Sequence, residues 1–241
     1  MLVKKGKQRR NRLTEIAVVV DVDDTLISTD HRMQAVWRLL LGCEVPLEAV
    51  ETLSIEQVFM KLASSEQKAR AVEFQKRFWD IVLCLDKAGV ELLTLHEPFP
   101  CAAEVLQEWS QHSLLIYLTG RTENMRRATL DELQRFSFPM RGTELVMFNI
   151  EDFARTRGVN PSGPTLIDAK ARLLSSICTR HEVVRAVDDY PSYFPAYRQF
   201  GIPDRIGLLR SKRYALQDYL SRGATRVVQD WKQLEHDLPK Q

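Results

Sequence analysis

Long apolar runs are absent from this sequence. The longest, such as residues 16–20 and 114–118, have the length of a β-strand and fall far short of the roughly 20 residues that span a bilayer. The N-terminus carries charges, but no apolar stretch and small-residue cleavage site follow them. We therefore expect no membrane partner and no secretion.

Cysteine is scarce. The four cysteines (Cys43, Cys84, Cys101 and Cys178) are widely scattered, and no Cys-x-x-Cys pair occurs. This distribution favours neither a zinc site nor a disulfide framework. A reducing compartment fits it best, and we expect a cytoplasmic protein.

An excess of one charge sign is also lacking, because the formal net charge is only +2. Six basic residues precede Leu13: Lys4, Lys5, Lys7, Arg9, Arg10 and Arg12. Without them the rest of the chain would carry about −4, so its body is not a basic surface of the kind that binds nucleic acid. The basic arm could touch RNA or anionic lipid, but a short solvated tail is the simpler interpretation, and we assign it no function.

The composition, 44% hydrophobic and 27% charged, is that of a globular protein. In residues 15–20, Glu15 is followed by a continuous apolar run rich in β-branched side chains, which ends at Asp21. Such a run is typical of a strand buried on both faces of a parallel sheet. Similar runs recur at residues 114–118, 145–148, 183–187 and 205–209. Amphipathic helical patterns lie between most of them, at 101–111, 123–136 and 169–179. The alternation predicts an α/β fold with a doubly wound, mainly parallel sheet.

One segment breaks this alternation. Residues 30–93 contain long helical patterns at 32–41 and 66–85 and no convincing buried strand. We interpret 30–93 as an inserted helical cap on an α/β core formed by residues 1–29 and 94–241. Residues 151–164, rich in glycine and proline, are predicted to form an extended loop.

Ligands of such sheets bind outside the carboxyl ends of the strands. The polar residues at these positions, and at a later helix, form a related set: Asp21-Val22-Asp23-Asp24-Thr25, Thr119-Gly120-Arg121, Lys170 at the opening of the helix, and Asp188-Asp189. Together they supply acids, a hydroxyl and an amine. None of these residues alone indicates an active site, whereas their order after successive apolar strands does.

This set suits phosphoryl transfer, which needs a nucleophile, a proton donor and positive charge around the phosphoryl oxygens. Asp21 can attack phosphorus, and Asp23 can protonate the leaving group and then activate water. Because a carboxylate and a phosphate repel each other, a hard divalent cation with oxygen ligands is required, for which Asp21 and Asp188 are the best side chains. Thr119 and Lys170 can bind the phosphate, together with the backbone N–H of Gly120.

The four motifs, in this order, resemble those of the haloacid dehalogenase-like hydrolases. The resemblance covers roughly residues 15–29 and 94–229 and implies a Rossmann-like core with a cap inserted after the first motif. It also implies Mg²⁺, an aspartyl-phosphate on Asp21, the backbone carbonyl of Asp23 as a metal ligand, and Asp189 as a direct or water-mediated support of the metal. Asp23 points to the phosphatase branch, since dehalogenase and phosphonatase branches typically lack that carboxylate. We therefore expect a phosphatase that acts on a small phosphorylated metabolite.

Other interpretations fit less well. A calcium loop starting at Asp21 would place Leu26 where glycine is needed and Arg32 where the bidentate glutamate is needed. A phospho-receiver module, the non-enzymatic alternative, carries its acceptor on a middle strand, where this chain has Thr119. A phosphomutase or phosphotransferase of the same superfamily is the enzymatic alternative.

Several residues are left without a role. His31 and Arg32 could contact the substrate or lie on the surface of a hinge or cap helix. Trp37, Phe78 and Trp79 could line the pocket or pack in the core. Arg121 could reach the phosphate, pack at a helix N-terminus or be exposed to solvent. The particular substrate and the oligomeric state cannot be read from the sequence.

Overall fold

The structure is a computed structural model that describes residues 16–151 and 165–239. The basic arm and all but the first residue of the segment 151–164 lie outside these residues.

Six parallel strands form the central sheet. The described strands are β1 (Ile16–Val20), β2 (Ile27–Ser28), β3 (Glu97–Pro98), β4 (Leu114–Thr122), β5 (Thr143–Phe148), β6 (Glu182–Asp188), β7 (Asp204–Leu208) and β8 (Arg226–Val228). The sheet order is β5-β4-β1-β6-β7-β8, and every pairing in it is parallel. Since β1 has a neighbour on each side and helices on both faces, its residues 17–20 are fully buried, which explains its continuous apolar run.

Eleven α-helices surround or extend this sheet in the described residues. They are α1 (Asp30–Leu41), α2 (Leu47–Thr52), α3 (Ile55–Leu62), α4 (Ser65–Ala69), α5 (Ala71–Val82), α6 (Lys87–Glu91), α7 (Ala102–Trp109), α8 (Arg126–Arg135), α9 (Leu166–Arg180), α10 (Phe194–Gln199) and α11 (Leu216–Arg222). Short 3₁₀ turns occupy Leu92–Leu95, Glu123–Met125, Pro191–Tyr193 and Trp231–Leu234.

The two faces of the sheet bury separate apolar clusters. Successive side chains of a strand point to opposite faces, so Val18 and Val20 pack in the cluster that contains Trp109 of α7. Ala17 and Val19 pack on the other face with Leu174 of α9 and Phe194 of α10. The predicted α/β fold with a parallel sheet and helices on both faces is therefore confirmed.

Two predicted helices differ in their bounds. The pattern at 66–85 forms two helices rather than one, because the chain leaves helical geometry at Arg70 (φ −109°, ψ 28°). Lys170 does not open its helix but lies one turn inside it. The helix begins earlier because Thr165 caps its N-terminus by accepting a hydrogen bond from the backbone N–H of Asp168, whose carboxylate accepts in return from Thr165.

Two strands also differ from the sequence interpretation. The second predicted strand continues to Thr122 through Thr119 and Gly120, with a register irregularity after Leu118. β8 was not predicted, because only three residues form it. β8 lies at the edge of the sheet beyond β7 and is only partly buried, so it does not need a continuous apolar run.

Residues 30–93, here called the helical insertion, contain α1 to α6 and, among the described residues, no strand. They bury an apolar cluster of their own around Val36, Trp37 and Phe78. The antiparallel pair β2 and β3 brackets the helical insertion where the chain leaves and re-enters the core.

The helical insertion lies at the carboxyl ends of the sheet strands. Leu83 packs on Phe148, the last residue of β5. The backbone carbonyl of Leu83 accepts a hydrogen bond of 2.8 Å from the side chain of Asn124, just beyond β4. On the other side, Lys212 forms an ion pair of 2.6 Å with Glu51. These contacts hold the helices above the strand ends.

Among the described residues, no helix is both long enough and apolar enough to span a membrane.

Candidate active site

The loop after β1 turns sharply at Asp24. The φ angle of Asp24 is 57°, in the left-handed region. The carbonyl of Val22 accepts hydrogen bonds from the backbone N–H groups of Leu26 and Ile27, at 2.8 and 3.1 Å. Asp24 tolerates this conformation, which short polar side chains adopt more readily than bulky ones.

Thr25 joins this loop to the end of β6. Its hydroxyl donates to the carboxylate of Asp189 (3.2 Å) and accepts from the backbone N–H of Asp189 (3.1 Å). The indole N–H of Trp231 donates to the carbonyl of Thr25 at 2.8 Å, from the opposite end of the chain. Thr25, for which the sequence predicts no role, thus fixes the position of the loop relative to Asp189.

Lys170 lies between two of the predicted site carboxylates. Its Nζ is 2.7 Å from Oδ1 of Asp21 and 2.6 Å from Oδ2 of Asp188, and it lies 3.9 Å from the ring centre of Tyr193. The side chain is only 2% exposed. A buried ammonium group needs such paired charges, so this contact fixes α9 to the ends of β1 and β6.

Three carboxylates form a cluster beside the single amine of Lys170. Asp21, Asp188 and Asp189 each offer one oxygen, and these oxygens lie within 4.8 Å of one another. Burial raises the pKa of Asp21 to about 8, with Lys170 opposing and Asp188 adding to the rise. Burial, with repulsion from Asp24 and Asp188, raises the pKa of Asp189 well above its usual range. Lys170 alone therefore does not offset the burial of Asp21 and Asp189, and their ionised forms stay disfavoured.

The donor set fits a hard divalent cation, because all the clustered donors are carboxylate oxygens. Asp188 is held in place by three donors. Tyr190 donates its backbone N–H to Oδ1 (2.8 Å), while Tyr197 donates its hydroxyl, and Lys170 its ammonium, to Oδ2 (2.6 Å each). Such secondary contacts orient metal-binding carboxylates.

The side chain of Asp23 lies outside this cluster and binds Arg121 instead. Nε of Arg121 is 3.0 Å from each carboxylate oxygen of Asp23, and Nη2 is 2.7 Å from Oδ1. Nη1 of Arg121 donates to Glu132 (2.6 Å) and Thr129 (3.2 Å). Glu132 in turn contacts Nδ1 of His96 at 2.7 Å. Arg121, Glu132 and His96 are buried.

This network sets the charge of Asp23. Burial alone would raise the pKa of Asp23, but attraction and hydrogen bonding by Arg121 outweigh it and hold the pKa below its usual value. The sequence left Arg121 open between a phosphate contact, packing and solvent exposure. In the structure it is a buried ion-pair partner of Asp23.

Gly120 lines a cavity of about 220 Å³ together with Asp21 and Asp189. No atom would lie within 4 Å of a Cβ added at Gly120. Thr119 is fully buried, and its hydroxyl oxygen accepts from the backbone N–H of Arg121 at 3.1 Å. Thr119 and Lys170 are not among the residues that line the cavity. The structure thus brings Asp21, Asp188, Asp189 and Lys170 into contact and places Gly120 beside them.

The sheet order, with helices on both faces, defines a doubly wound α/β fold, and the acidic cluster lies at its strand ends. Solved structures agree, and so the fold that the sequence resemblance implied is confirmed. A haloacid dehalogenase-like family hydrolase from Streptococcus pneumoniae is 15% identical, with a TM-score of 0.58, over 92% of this chain and 97% of that chain. A HAD family hydrolase from Deinococcus radiodurans with bound phosphate and sodium is 18% identical, with a TM-score of 0.55, over 92% and 93%.

A third similar structure is that of protein tyrosine kinase A from Mycobacterium tuberculosis, which is 16% identical with a TM-score of 0.59, over 93% of this chain and 98% of that chain. No protein-family model matches the sequence, and no curated protein is significantly similar to it. Proteins of this fold are named both as hydrolases and as a kinase, so the fold does not decide which reaction this protein catalyses. The geometry of the site has to decide the function.

We predict that Arg121→Ala destabilises the protein by about 3–5 kcal/mol, because it leaves the buried Glu132 and the carboxylate of Asp23 without their cation. The free energy of unfolding from urea titrations measures this. Arg127→Ala is the matched control, since Arg127 lies on the same helix as Glu132, is 95% exposed and contacts Asp131 only at 3.8 Å. It should cost less than about 1 kcal/mol. Equal losses for the two variants would contradict a structural role of the Arg121 network.

Proposed function

We propose that this protein is a magnesium-dependent phosphatase that hydrolyses phosphomonoesters through an aspartyl-phosphate on Asp21. The observation that carries the proposal is the group formed by Asp21, Asp188, Asp189 and Lys170 at the carboxyl ends of the sheet. It combines a carboxylate nucleophile, a buried ammonium group and an oxygen-only donor set beside a cavity.

The side chains of Asp21, Asp188 and Asp189 would hold Mg²⁺, together with the backbone carbonyl of Asp23. When bound, the ion supplies the positive charge that lets a carboxylate approach a phosphate. Lys170 alone does not offset the burial of Asp21 and Asp189, and a second cation among the carboxylates would favour their ionised forms, which supports this assignment.

In the proposed reaction Asp21 attacks phosphorus, and the bond between phosphorus and the ester oxygen breaks. Asp23 gives a proton to the departing oxygen. A water molecule then attacks the phosphorus of the aspartyl-phosphate, gives a proton to Asp23 and restores Asp21 with release of inorganic phosphate. Thr119, the backbone N–H of Gly120 and Lys170 bind the phosphoryl oxygens.

The contact with Arg121 suits the second half of this cycle, in which Asp23 accepts a proton from water. It opposes the first half, in which Asp23 must carry a proton. A phosphoryl group with two negative charges beside Asp23 counters Arg121, because a nearby anion favours protonation of a carboxylate. Asp23 can therefore serve as acid with the substrate bound and as base after the leaving group has departed.

Residues 30–93 would act as a cap that closes over the core of residues 1–29 and 94–241. The paired strands β2 and β3, where the chain enters and leaves the helical insertion, support hinges near residues 28–30 and 91–96. Closure would exclude water from the aspartyl-phosphate. We further propose a small phosphorylated metabolite as substrate and a cytoplasmic location.

Phosphotransfer to an acceptor other than water is the second candidate. It is favoured by the similarity to the M. tuberculosis structure that is named a kinase. Both reactions share the aspartyl-phosphate, and the products distinguish them: a phosphatase releases one inorganic phosphate for each ester cleaved.

We expect the protein to hydrolyse p-nitrophenyl phosphate with added Mg²⁺ and to lose this activity in excess chelator, because the proposed site consists of oxygen ligands. Asp21→Asn should abolish turnover, whereas Asp131→Asn, a surface control on α8, should leave it unchanged. Phosphate release over a broad panel of phosphomonoesters is the measurement. A folded protein that turns over no member of the panel would rule out the proposed function.

Asp23→Asn should slow substrates with poor leaving groups most. General acid catalysis is worth about a hundred- to ten-thousand-fold, and an activated leaving group needs less of it. We expect a loss of that size in kcat for an alkyl phosphate, a much smaller loss for p-nitrophenyl phosphate, and Mg²⁺ binding by calorimetry close to that of the wild type. Equal losses for the two substrates would show that Asp23 does not protonate the leaving group.

A further inference from the structure

A second cavity, of about 210 Å³, lies between the helical insertion and the loop after β1. Of its fourteen lining residues, eight are apolar and all eight belong to the helical insertion. Met33 and Trp37 of α1, Val58 of α3, and Trp79 and Val82 of α5 are among them. The sequence left Trp37 and Trp79 open between packing and substrate contact, and the structure shows that both line this cavity.

This second cavity adjoins the cavity at Asp21, with which it shares three lining residues. Asp23, Asp24 and Arg213 line both. Arg213 also joins the two parts of the protein, because its guanidinium donates to the backbone carbonyl of Val50 at 3.2 Å. A phosphoryl group at Asp21 would therefore direct the organic part of its ester past Asp23 and into the second cavity.

Most polar groups in the wall of the second cavity already have partners. Asp24 accepts hydrogen bonds from the backbone N–H (3.0 Å) and hydroxyl (2.8 Å) of Thr29, and Asp23 is held by Arg121. Arg32 uses Nη2 to bind the carbonyls of Ile81 (3.2 Å) and Val82 (2.8 Å) at the end of α5. Nε of Arg32 is buried without a partner, so the polar end of the wall can still take a hydrogen bond. Hydroxyl groups placed against the apolar part of the wall, at Met33 or Val58, would find no partner there, and a buried hydroxyl without a partner costs about 1–3 kcal/mol.

The volume suits a ring or a branched chain. A cavity of roughly 150 Å³ with an apolar lining is large enough for benzene, and this one is larger. Apolar walls stabilise an apolar group in proportion to the apolar surface area of that group that they remove from water.

Building on the proposed phosphatase function, we propose that the organic group of the substrate is apolar, has the size of a benzyl or branched alkyl group, and binds in this second cavity. A polyhydroxylated group, as in a sugar phosphate, is disfavoured there. The helical insertion thus selects substrates by the apolar character of the alcohol.

The test uses two pairs of compounds. In each pair the two members are matched in reactivity but differ in the polarity of the organic group. Benzylphosphonate and 2,3-dihydroxypropylphosphonate cannot be hydrolysed, and their dissociation constants are measured by calorimetry on the full-length protein with Mg²⁺. Benzyl phosphate and glycerol 1-phosphate are both esters of primary alcohols, and their kcat/KM values are measured in parallel. We expect the benzyl compound to be favoured by at least about tenfold in both assays, the lower end of the effect of an apolar pocket contact.

Two variants locate the effect. Met33→Gln places an amide in the wall of the second cavity and should reduce the preference for the benzyl compounds by roughly fivefold to tenfold, mainly through KM and the dissociation constant. Met60→Gln is the matched control, because Met60 also belongs to the helical insertion but is 60% exposed and does not line this cavity. It should change neither assay.

The outcomes separate this inference from the proposed function. Equal or better binding and turnover of the dihydroxypropyl compounds, absence of binding by either phosphonate, or equal effects of the two methionine variants would overturn the inference. A preference for benzylphosphonate without turnover of either ester would support the apolar subsite and overturn the phosphatase proposal.

Discussion

The buried contact of Lys170 with Asp21 and Asp188 is the interaction on which the rest of the site depends. It joins the ends of two neighbouring strands, β1 and β6, to the helix α9. An ammonium group that is 2% exposed is tolerable only with paired carboxylates. The same contact orients Asp21 toward the cavity, so that a requirement of folding also positions the proposed nucleophile.

Two carboxylates that are separated by one residue experience opposite environments. Burial and neighbouring carboxylates raise the pKa of Asp21, whereas Arg121 outweighs burial and lowers the pKa of Asp23. Divergent environments of this kind are how one site assigns different roles to identical groups. A cation among the carboxylates would add positive charge and favour the ionised form of Asp21, so the proposed nucleophilic role of Asp21 and the proposed cation are linked.

The sequence predicted those parts of the site that depend on strand ends. Asp21 and the pair Asp188-Asp189 follow apolar runs, and in a parallel sheet such positions meet at one edge, so their proximity followed from the pattern. The roles of these residues stay proposals. The apolar runs also predicted five of the six sheet strands, whereas the three residues of β8 are too short to produce a signal.

The network around Asp23 could not be predicted, because its members come from separate parts of the chain. Arg121 extends β4, Glu132 lies on α8 and His96 precedes β3, and nothing in their spacing indicates that they meet. Trp37 and Phe78 pack in the interior of the helical insertion, as aromatic residues at helical spacing usually do. That Trp37 and Trp79 also border a cavity depends on how the helices sit above the sheet, which local patterns do not encode.

The central claim is that Asp21 is the residue that carries the phosphoryl group. Beryllium fluoride forms a stable mimic of an acyl-phosphate on a carboxylate nucleophile, and a crystal structure of the protein with Mg²⁺ and beryllium fluoride shows which carboxylate reacts. The proposed mechanism predicts a trifluoroberyllate group on Asp21, with Lys170 close to its fluorine atoms and Mg²⁺ held by Asp21 and Asp188. A trifluoroberyllate group on Asp23 or Asp188 would contradict it.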